Sequence, residues 1–442
     1  MRKVFNVLLS LMLAFCLCAC SNNNETAQKV ENNVVEELDS DYQNFEIDTN
    51  KYKLDKVYVF SRHNIRSPLS TGGSTLSEVT NNKWFDWSSN ASELSLRGGD
   101  LETEVGQYFR KYLVSAGLME ENWIPEGEEV RIYANSMQRT IATANYFVSG
   151  MFPVANIDVE YHMDIGTMDP VFFPQVTFVS DKYYSQVLNE INEKLDINGL
   201  KDNFELLEEV LDYEKSNMAK TTPHFEPNDY VLKLEIGDEP RISGSLNICN
   251  GAADALKLQY YEEEDNYKAA FNHDISIDKW LDICEITDTY GELLFAMPSV
   301  SINLAHPLLQ EIYKELNNDQ RIFTFMCGHD SNIASLLGAL DVKEYSLPKT
   351  LERKTPIGST ILIEKWHNIN TKEEYYSICL QYQSLYQLEN MPILDLNNKP
   401  VKYLLSFNGL EQNEDGLYKV EDFNKHLLNK INAYDELVEK YK

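Results

Sequence analysis

Three short stretches carry side chains whose types and spacing could move a phosphoryl group. Lys56-Val57-Tyr58-Val59-Phe60 reads as a buried strand that runs straight into Ser61-Arg62-His63-Asn64-Ile65-Arg66-Ser67-Pro68. Val130 to Ala134 reads as a second strand, followed by a helix with Arg139-Thr140 in its first turn. Ile322 to Met326 reads as a third, ending in Gly328-His329-Asp330-Ser331-Asn332. A planar guanidinium is a strong bidentate partner for phosphate oxygens, and helix N-termini add positive dipole. The chemistry these residues suit is a two-step transfer. The neutral imidazole of His63 attacks phosphorus, while Arg62, Arg66, Arg139 and His329 hold the equatorial oxygens. Asp330, as a carboxylic acid, protonates the leaving oxygen and then activates water. With arginines supplying the positive charge, this scheme needs no metal and no cofactor.

Taken alone, each stretch is a weak signal, since an isolated histidine after a strand is usually structural. Together they demand a scaffold that brings three strand ends to one place. A parallel α/β sheet does this, because the carboxyl ends of its strands share an edge. Apolar residues Leu101, Val105, Tyr108, Phe109 and Tyr112 recur at helical spacing and predict a helix from Glu93 to Ala116. Asn135-Ser136 is expected to cap the helix that runs from Met137 to about Val148, and Ser331 the one from about Asn332 to Leu340. Strands are expected at Ser359–Lys365 and Tyr376–Tyr382. Residues 176–295, rich in Glu, Lys, Leu and Asn, read as a smaller inserted helical cap. The expected fold is α/β, with a central mixed, mostly parallel sheet flanked by helices and formed by residues 51–175 and 296–442.

The 442 residues carry Lys+Arg 39 against Asp+Glu 70, a net charge of −31. Such a surface repels phosphate backbones and argues against nucleic-acid binding. A phosphate ligand therefore requires a local arginine cluster that overcomes the global field. Arg2 and Lys3 precede an apolar run from Val4 to Leu17, shorter than the roughly 20 residues that span a bilayer. The run ends in Leu17-Cys18-Ala19-Cys20, which resembles a bacterial lipobox. The expectation is a leader over residues 1–19, lipidation of Cys20, export, and a flexible spacer over 20–50, with ordered structure beginning near Lys53. The anchor would face the periplasm or the exterior of a bacterial membrane. Cys249, Cys284, Cys327 and Cys379 remain; a Cys249–Cys284 bridge and four buried free thiols are both open.

The motifs resemble those of the histidine acid phosphatases, a branch of the histidine phosphatase superfamily. Arg62-His63-x-x-Arg66-x-Pro68 is similar to its nucleophile motif, His329-Asp330 to its second motif, and Arg139 to its third phosphate-binding arginine. Asn64, Arg62 to Trp87, Leu96-Arg97-Gly98-Gly99, Leu258-Gln259-Tyr260-Tyr261-Glu262, Gly328 to Leu340 and Thr355-Pro356-Ile357-Gly358 resemble the bacterial glucose-1-phosphatase branch. The resemblance implies a phosphoglycerate-mutase-like α/β domain split around a helical one. It also implies an acid phosphomonoesterase acting on glucose 1-phosphate, with phytate as a lesser substrate. Glu262 would then overhang the pocket mouth as a gate against highly phosphorylated substrates; its other reading is one more solvated acid. Two departures stand out: no Cys in Ser406–Phe423, and the lipobox. The competing functions are a phytase and a non-catalytic phosphosugar-binding lipoprotein, and the oligomeric state is open. Trp84 and Trp87 are expected to pack near the pocket, and Asp169-Pro170 to form a structural turn.

Overall fold

The computed structural model describes residues 38–69 and 74–442. The leader and Cys20 lie outside the described residues. Residues 38–43 hold a turn closed by the Tyr42 amide on the Asp39 carbonyl. The folded unit begins at Asn44, ahead of the expected start near Lys53. The Asn44 side chain donates to Pro400 O at 2.9 Å, and Phe45 and Ile47 pack against the core. The end of the expected spacer is thus part of the fold.

A seven-stranded sheet runs in the order β2-β5-β1-β6-β7-β8, with β9 also paired to β7. Its strands are β1 (Tyr52–Arg62), β2 (Val130–Ala134), β5 (Phe323–Gly328), β6 (Thr360–Asn368), β7 (Glu374–Tyr382), β8 (Val401–Leu404) and β9 (Tyr418–Lys419). The remaining two strands, β3 (Tyr230–Lys233) and β4 (Arg241–Gly244), form a separate hairpin. The β1/β5 and β2/β5 pairs are parallel, and the other pairs of the large sheet are antiparallel. In this register Arg62 lies opposite Gly328 and Ala134 opposite Cys327, so the three carboxyl ends are level.

The central strands are apolar because helices cover both their faces. Val57, Tyr58, Val59 and Phe60 are buried, each contributing about 1.5–3 kcal/mol of transfer free energy. Helices α1 (Leu96–Ser115) and α2 (Gln138–Met151) pack on one side, where Phe147 stacks on Phe325 at 4.1 Å. Ser95 caps α1 by accepting from Gly98 N at 3.0 Å. A Cβ on Gly98 would stand 2.3 Å from Ile65 O, so only glycine lets α1 rest on the loop after His63.

Between α2 and β5 lie α3 (Asp181–Asn198), α4 (Lys201–Val210), the β3–β4 hairpin, α5 (Ser245–Glu262), α6 (Ile277–Gly291) and α7 (Pro298–Leu316). Helix α8 (Asp330–Ala339) follows β5, and α9 (Val420–Tyr441) closes the chain. The hairpin amends the expectation of a purely helical stretch. Both expected caps also differ from the structure. Met137 is the N-cap of α2 and bears no capping side chain, and His329, not Ser331, is the N-cap of α8. All four described cysteines are buried free thiols, so no Cys249–Cys284 bridge forms.

Candidate active site

The three level strand ends open on one cavity of about 430 Å³. His63, Arg66, Arg139, His329 and Asp330 line it, and Arg62 sits behind them, 1% exposed. The sequence-predicted residues His63, Asp330, Arg62, Arg66, Arg139 and His329 therefore meet at one place. Glu262 does not join them. It is the last residue of α5, faces Ser95 and Arg97, and is absent from the cavity wall. The gate expectation for this residue is withdrawn on that geometry. Trp84 packs edge-on against Phe271 at 5.0 Å and donates its Nε1 proton to the carbonyl of Leu76, a residue of the cavity wall, while Trp87 packs against Phe85 at 5.7 Å; neither indole lines the cavity itself.

The loops at the strand ends are laced together by main-chain bonds. His63 N donates to Gly328 O at 3.0 Å, and Asn135 N to Cys327 O at 2.9 Å. His63 Nδ1 lies 2.9 Å from Asn64 O, which requires the proton on Nδ1 and leaves the Nε2 lone pair free. Burial, then the charges of Arg139, His329, Arg66 and Arg62, holds the His63 pKa well below the usual imidazole value. The ring is thus a neutral base. Asn64 is itself fixed: its Nδ2 donates to Glu102 Oε2 at 2.9 Å and its N to Thr143 Oγ1 at 3.2 Å. Burial pushes the Glu102 carboxyl up to about 8, against the Asn64 hydrogen bond.

Asn135 is a site residue the sequence did not reveal, having been read as a helix cap. Its Oδ1 accepts from Ser136 N and Asp169 N, which fixes the amide so that Nδ2 donates to His329 Nε2 at 2.7 Å. With Nε2 accepting from Asn135, His329 Nδ1 carries the ring proton, so its 3.3 Å approach to Arg139 Nη2 sets donor against donor and is not a hydrogen bond. Asp169 is held by Tyr133 Oη at 2.8 Å, the structural turn expected for it.

Arg62 bonds Glu352 at 2.6 Å, Asp330 at 3.2 Å and the Thr355 carbonyl. Arg66 bonds Asp254 at 3.1 Å. Even so, the buried Nε atoms of Arg62, Arg66 and Arg139 have no hydrogen-bond partner. Burial works against the Arg62 charge, but Glu352 and Asp330 outweigh it and hold the pKa above the ordinary value. Arg139 is pushed down to about 10 by burial and by Arg66. Asp330 opens to the cavity, its side chain 45% exposed. Burial raises its pKa, but Arg62, Arg66 and His329 prevail and hold it below the usual carboxylate value.

The far wall of the cavity comes from the β3–β4 connection, α5 and α6. It presents Glu239, Asn247, Asn250, Asp254, Asp288 and Tyr290, with Arg241 as a mostly exposed cation. Burial and the Asp330 charge raise the Glu239 pKa, and burial and Glu352 push Asp288 up to about 7. None of these carboxylates was singled out from the sequence, since nothing local distinguishes them. Among the described residues no His, Cys, Asp and Glu side chains gather as a metal site.

A level trio of strand ends that presents a neutral histidine, an arginine cage and a carboxylate defines a phosphoryl-transfer site. The model of the histidine phosphatase superfamily (branch 2) matches residues 53–382, and the chain belongs to that family and is a phosphatase. A glucose-1-phosphatase of Providencia rettgeri is 35% identical over 381 residues, covering 84% of this chain and 90% of that protein. The phytase AppA of Escherichia coli (strain K12) is 26% identical over 395 residues, covering 84% of this chain and 90% of its own. Among solved structures, the phytase from Citrobacter braakii matches with TM-score 0.77 at 26% identity, covering 86% of this chain and 98% of its own. The apo phytase of Hafnia alvei shares the fold with TM-score 0.79 at 22% identity, over 87% of this chain and 98% of that one.

Proposed function

We propose that the chain hydrolyses small sugar phosphomonoesters, with glucose 1-phosphate as the type substrate, through a phosphohistidine on His63. The observation that carries this is the convergence of Arg66, Arg139, His329 and Asp330 on one cavity around a neutral, lone-pair-bearing His63, with Arg62 paired to Asp330. His63 Nε2 forms the N–P bond as the P–O ester bond breaks, and Asp330 gives its proton to the leaving oxygen. The resulting carboxylate then takes a proton from water as that water attacks phosphorus. Phosphate and neutral His63 are released. Arg62, Arg66, Arg139 and the Nδ1–H of His329 hold the equatorial oxygens throughout.

Arg62, Arg66 and His329 favour the ionised form of Asp330, so the proton it delivers arrives with the substrate. The bound phosphate screens both arginines and sets negative charge beside the carboxylate, which raises its pKa. Acidic pH favours that state.

The far wall supports small esters over polyphosphates. Carboxylates of Glu239 and Asp254 repel further phosphate groups, whereas Asp288, largely protonated at mildly acidic pH, and the amides of Asn247 and Asn250 suit sugar hydroxyls. The likeness to a glucose-1-phosphatase at 35% identity supports the same preference. The N-terminal leader and Cys20 support export and a lipid anchor; detergent partitioning of wild type and Cys20→Ala tests that part. The test of activity is phosphate release at mildly acidic pH from glucose 1-phosphate and phytate side by side, with His63→Ala as control. Faster release from glucose 1-phosphate that vanishes in the variant is expected; faster release from phytate overturns the substrate assignment. Ligand binding without release from either would leave a phosphosugar-binding lipoprotein in its place.

A further inference from the structure

We infer that Lys257, together with Glu352, is a positioning residue that sets the phosphate-binding arginines from the cavity's own inner wall. The inference rests on reading the cavity as a phosphate site. Lys257 lies on α5, and its side chain is 3% exposed. It stands 3.0 Å from Glu352 Oε2, 3.6 Å from Asp254 Oδ1 and 3.3 Å from Thr287 Oγ1. Each of those two carboxylates also holds one arginine of the cage. Glu352 Oε2 accepts from Arg62 at 2.6 Å, and Asp254 Oδ2 from Arg66 at 3.1 Å. Glu352 is anchored independently, its Oε1 accepting from Ile357 N at 3.0 Å and Tyr261 Oη at 3.2 Å.

Lys257 is thus the cation between two arginine–carboxylate pairs, and it takes part of the negative charge of each carboxylate. Without it, Glu352 and Asp254 would have only their arginines to pair with. They would draw both guanidiniums back from the cavity and compete harder with an incoming phosphate. Without the Glu352 charge, Arg62 would keep Asp330 as its remaining carboxylate and swing toward the mouth. Asp254 and Lys257 sit three residues apart on one face of α5, so one helix supplies half of the arrangement. The loop before β6 supplies the other half through Glu352.

The test uses the full chain as wild type, Lys257→Met, Glu352→Gln and the double variant. Inorganic phosphate is the probe, titrated calorimetrically, beside steady-state hydrolysis of glucose 1-phosphate. Each single variant is expected to weaken phosphate binding by about 10–100-fold, by analogy with the outer-shell partners that orient metal ligands. KM should rise more than kcat falls. The double variant should lose less than the product of the two singles, because both act on the same guanidinium. Variants that melt at lower temperature yet bind phosphate like wild type would overturn the proposal and leave a structural role. So would singles whose effects multiply. If Lys257→Met does not fold, Glu352→Gln, which keeps shape and an acceptor oxygen, decides on the same readouts. A wild type that binds no phosphate would overturn both this inference and the functional reading beneath it; normal wild-type binding with unchanged variants overturns this inference alone.

Discussion

Replacing Asp330 with Asn is expected to do opposite things to turnover and to phosphate binding. As a proton donor the carboxyl contributes about 10²–10⁴-fold to the rate, so kcat/KM for glucose 1-phosphate should fall by that range. As a charge, however, it pairs with Arg62 at 3.2 Å. Opposite charges at 4 Å attract by about 1 kcal/mol in water-like surroundings and about 4 kcal/mol at an effective dielectric of 20. Asp330 is 45% exposed, which places the pair toward the lower end after screening. Releasing Arg62 from this one of its two carboxylates should therefore gain about 1–2 kcal/mol, or about 5–30-fold tighter inorganic phosphate as a competitive inhibitor. The assay is kcat/KM and phosphate Ki for wild type and Asp330→Asn, on glucose 1-phosphate and on p-nitrophenyl phosphate. The nitrophenolate leaves without needing a proton, so its loss in kcat/KM, which covers only the steps up to the phosphohistidine, should be much smaller; hydrolysis of that intermediate is common to both esters. An equal loss in kcat/KM on both esters, or phosphate binding weakened by the variant, would refute the assignment.

Glu239→Gln removes a carboxylate from the far wall and should raise phytate turnover relative to glucose 1-phosphate, read as a ratio of kcat/KM; an unchanged ratio removes Glu239 from substrate choice. Glu102 is neutral in the fold up to about 8 but ionised in the unfolded chain above about 4.5. The unfolded state therefore binds fewer protons across that window, and stability falls as pH rises through it. Glu102→Gln should consequently raise Tm at alkaline pH by more than it does in acid; equal shifts at both would show no buried titration. Gly98→Ala forces a methyl against Ile65 O. It should lower Tm and kcat together, and an unaltered kcat would show that the loop after His63 tolerates displacement.

What the chain's order of residues makes legible is local, and the site divides along that line. The strands β1, β2 and β5 are short apolar runs that end abruptly in Arg, His and Asp, so their existence and their shared edge followed from pattern alone. Asn135 and Ser331 looked like caps because their types suit caps. The structure commits Asn135 to His329 and Asp169 instead, partners far along the chain. Glu239, Asp254, Lys257 and Glu352 come from segments with no distinctive spacing, and tertiary packing alone assembles them. Glu262 failed for a geometric reason: two turns beyond Asp254, the end of α5 has passed the cavity and faces α1. The hairpin β3–β4 went unseen because its strands are four residues long and largely exposed.

Helix α5 builds the wall that a sugar would meet, and through Asp254 it also holds Arg66 of the phosphate cage. Substrate choice and anchorage are therefore not separate modules that recombination could trade. A chimera that imports residues 176–295 from a relative would bring a foreign set of countercharges to resident arginines. Its first symptom would be poor retention of any ester, before any new preference could show. Directed evolution toward other esters should accordingly travel through paired changes, one on α5 and one in the segment around Glu352.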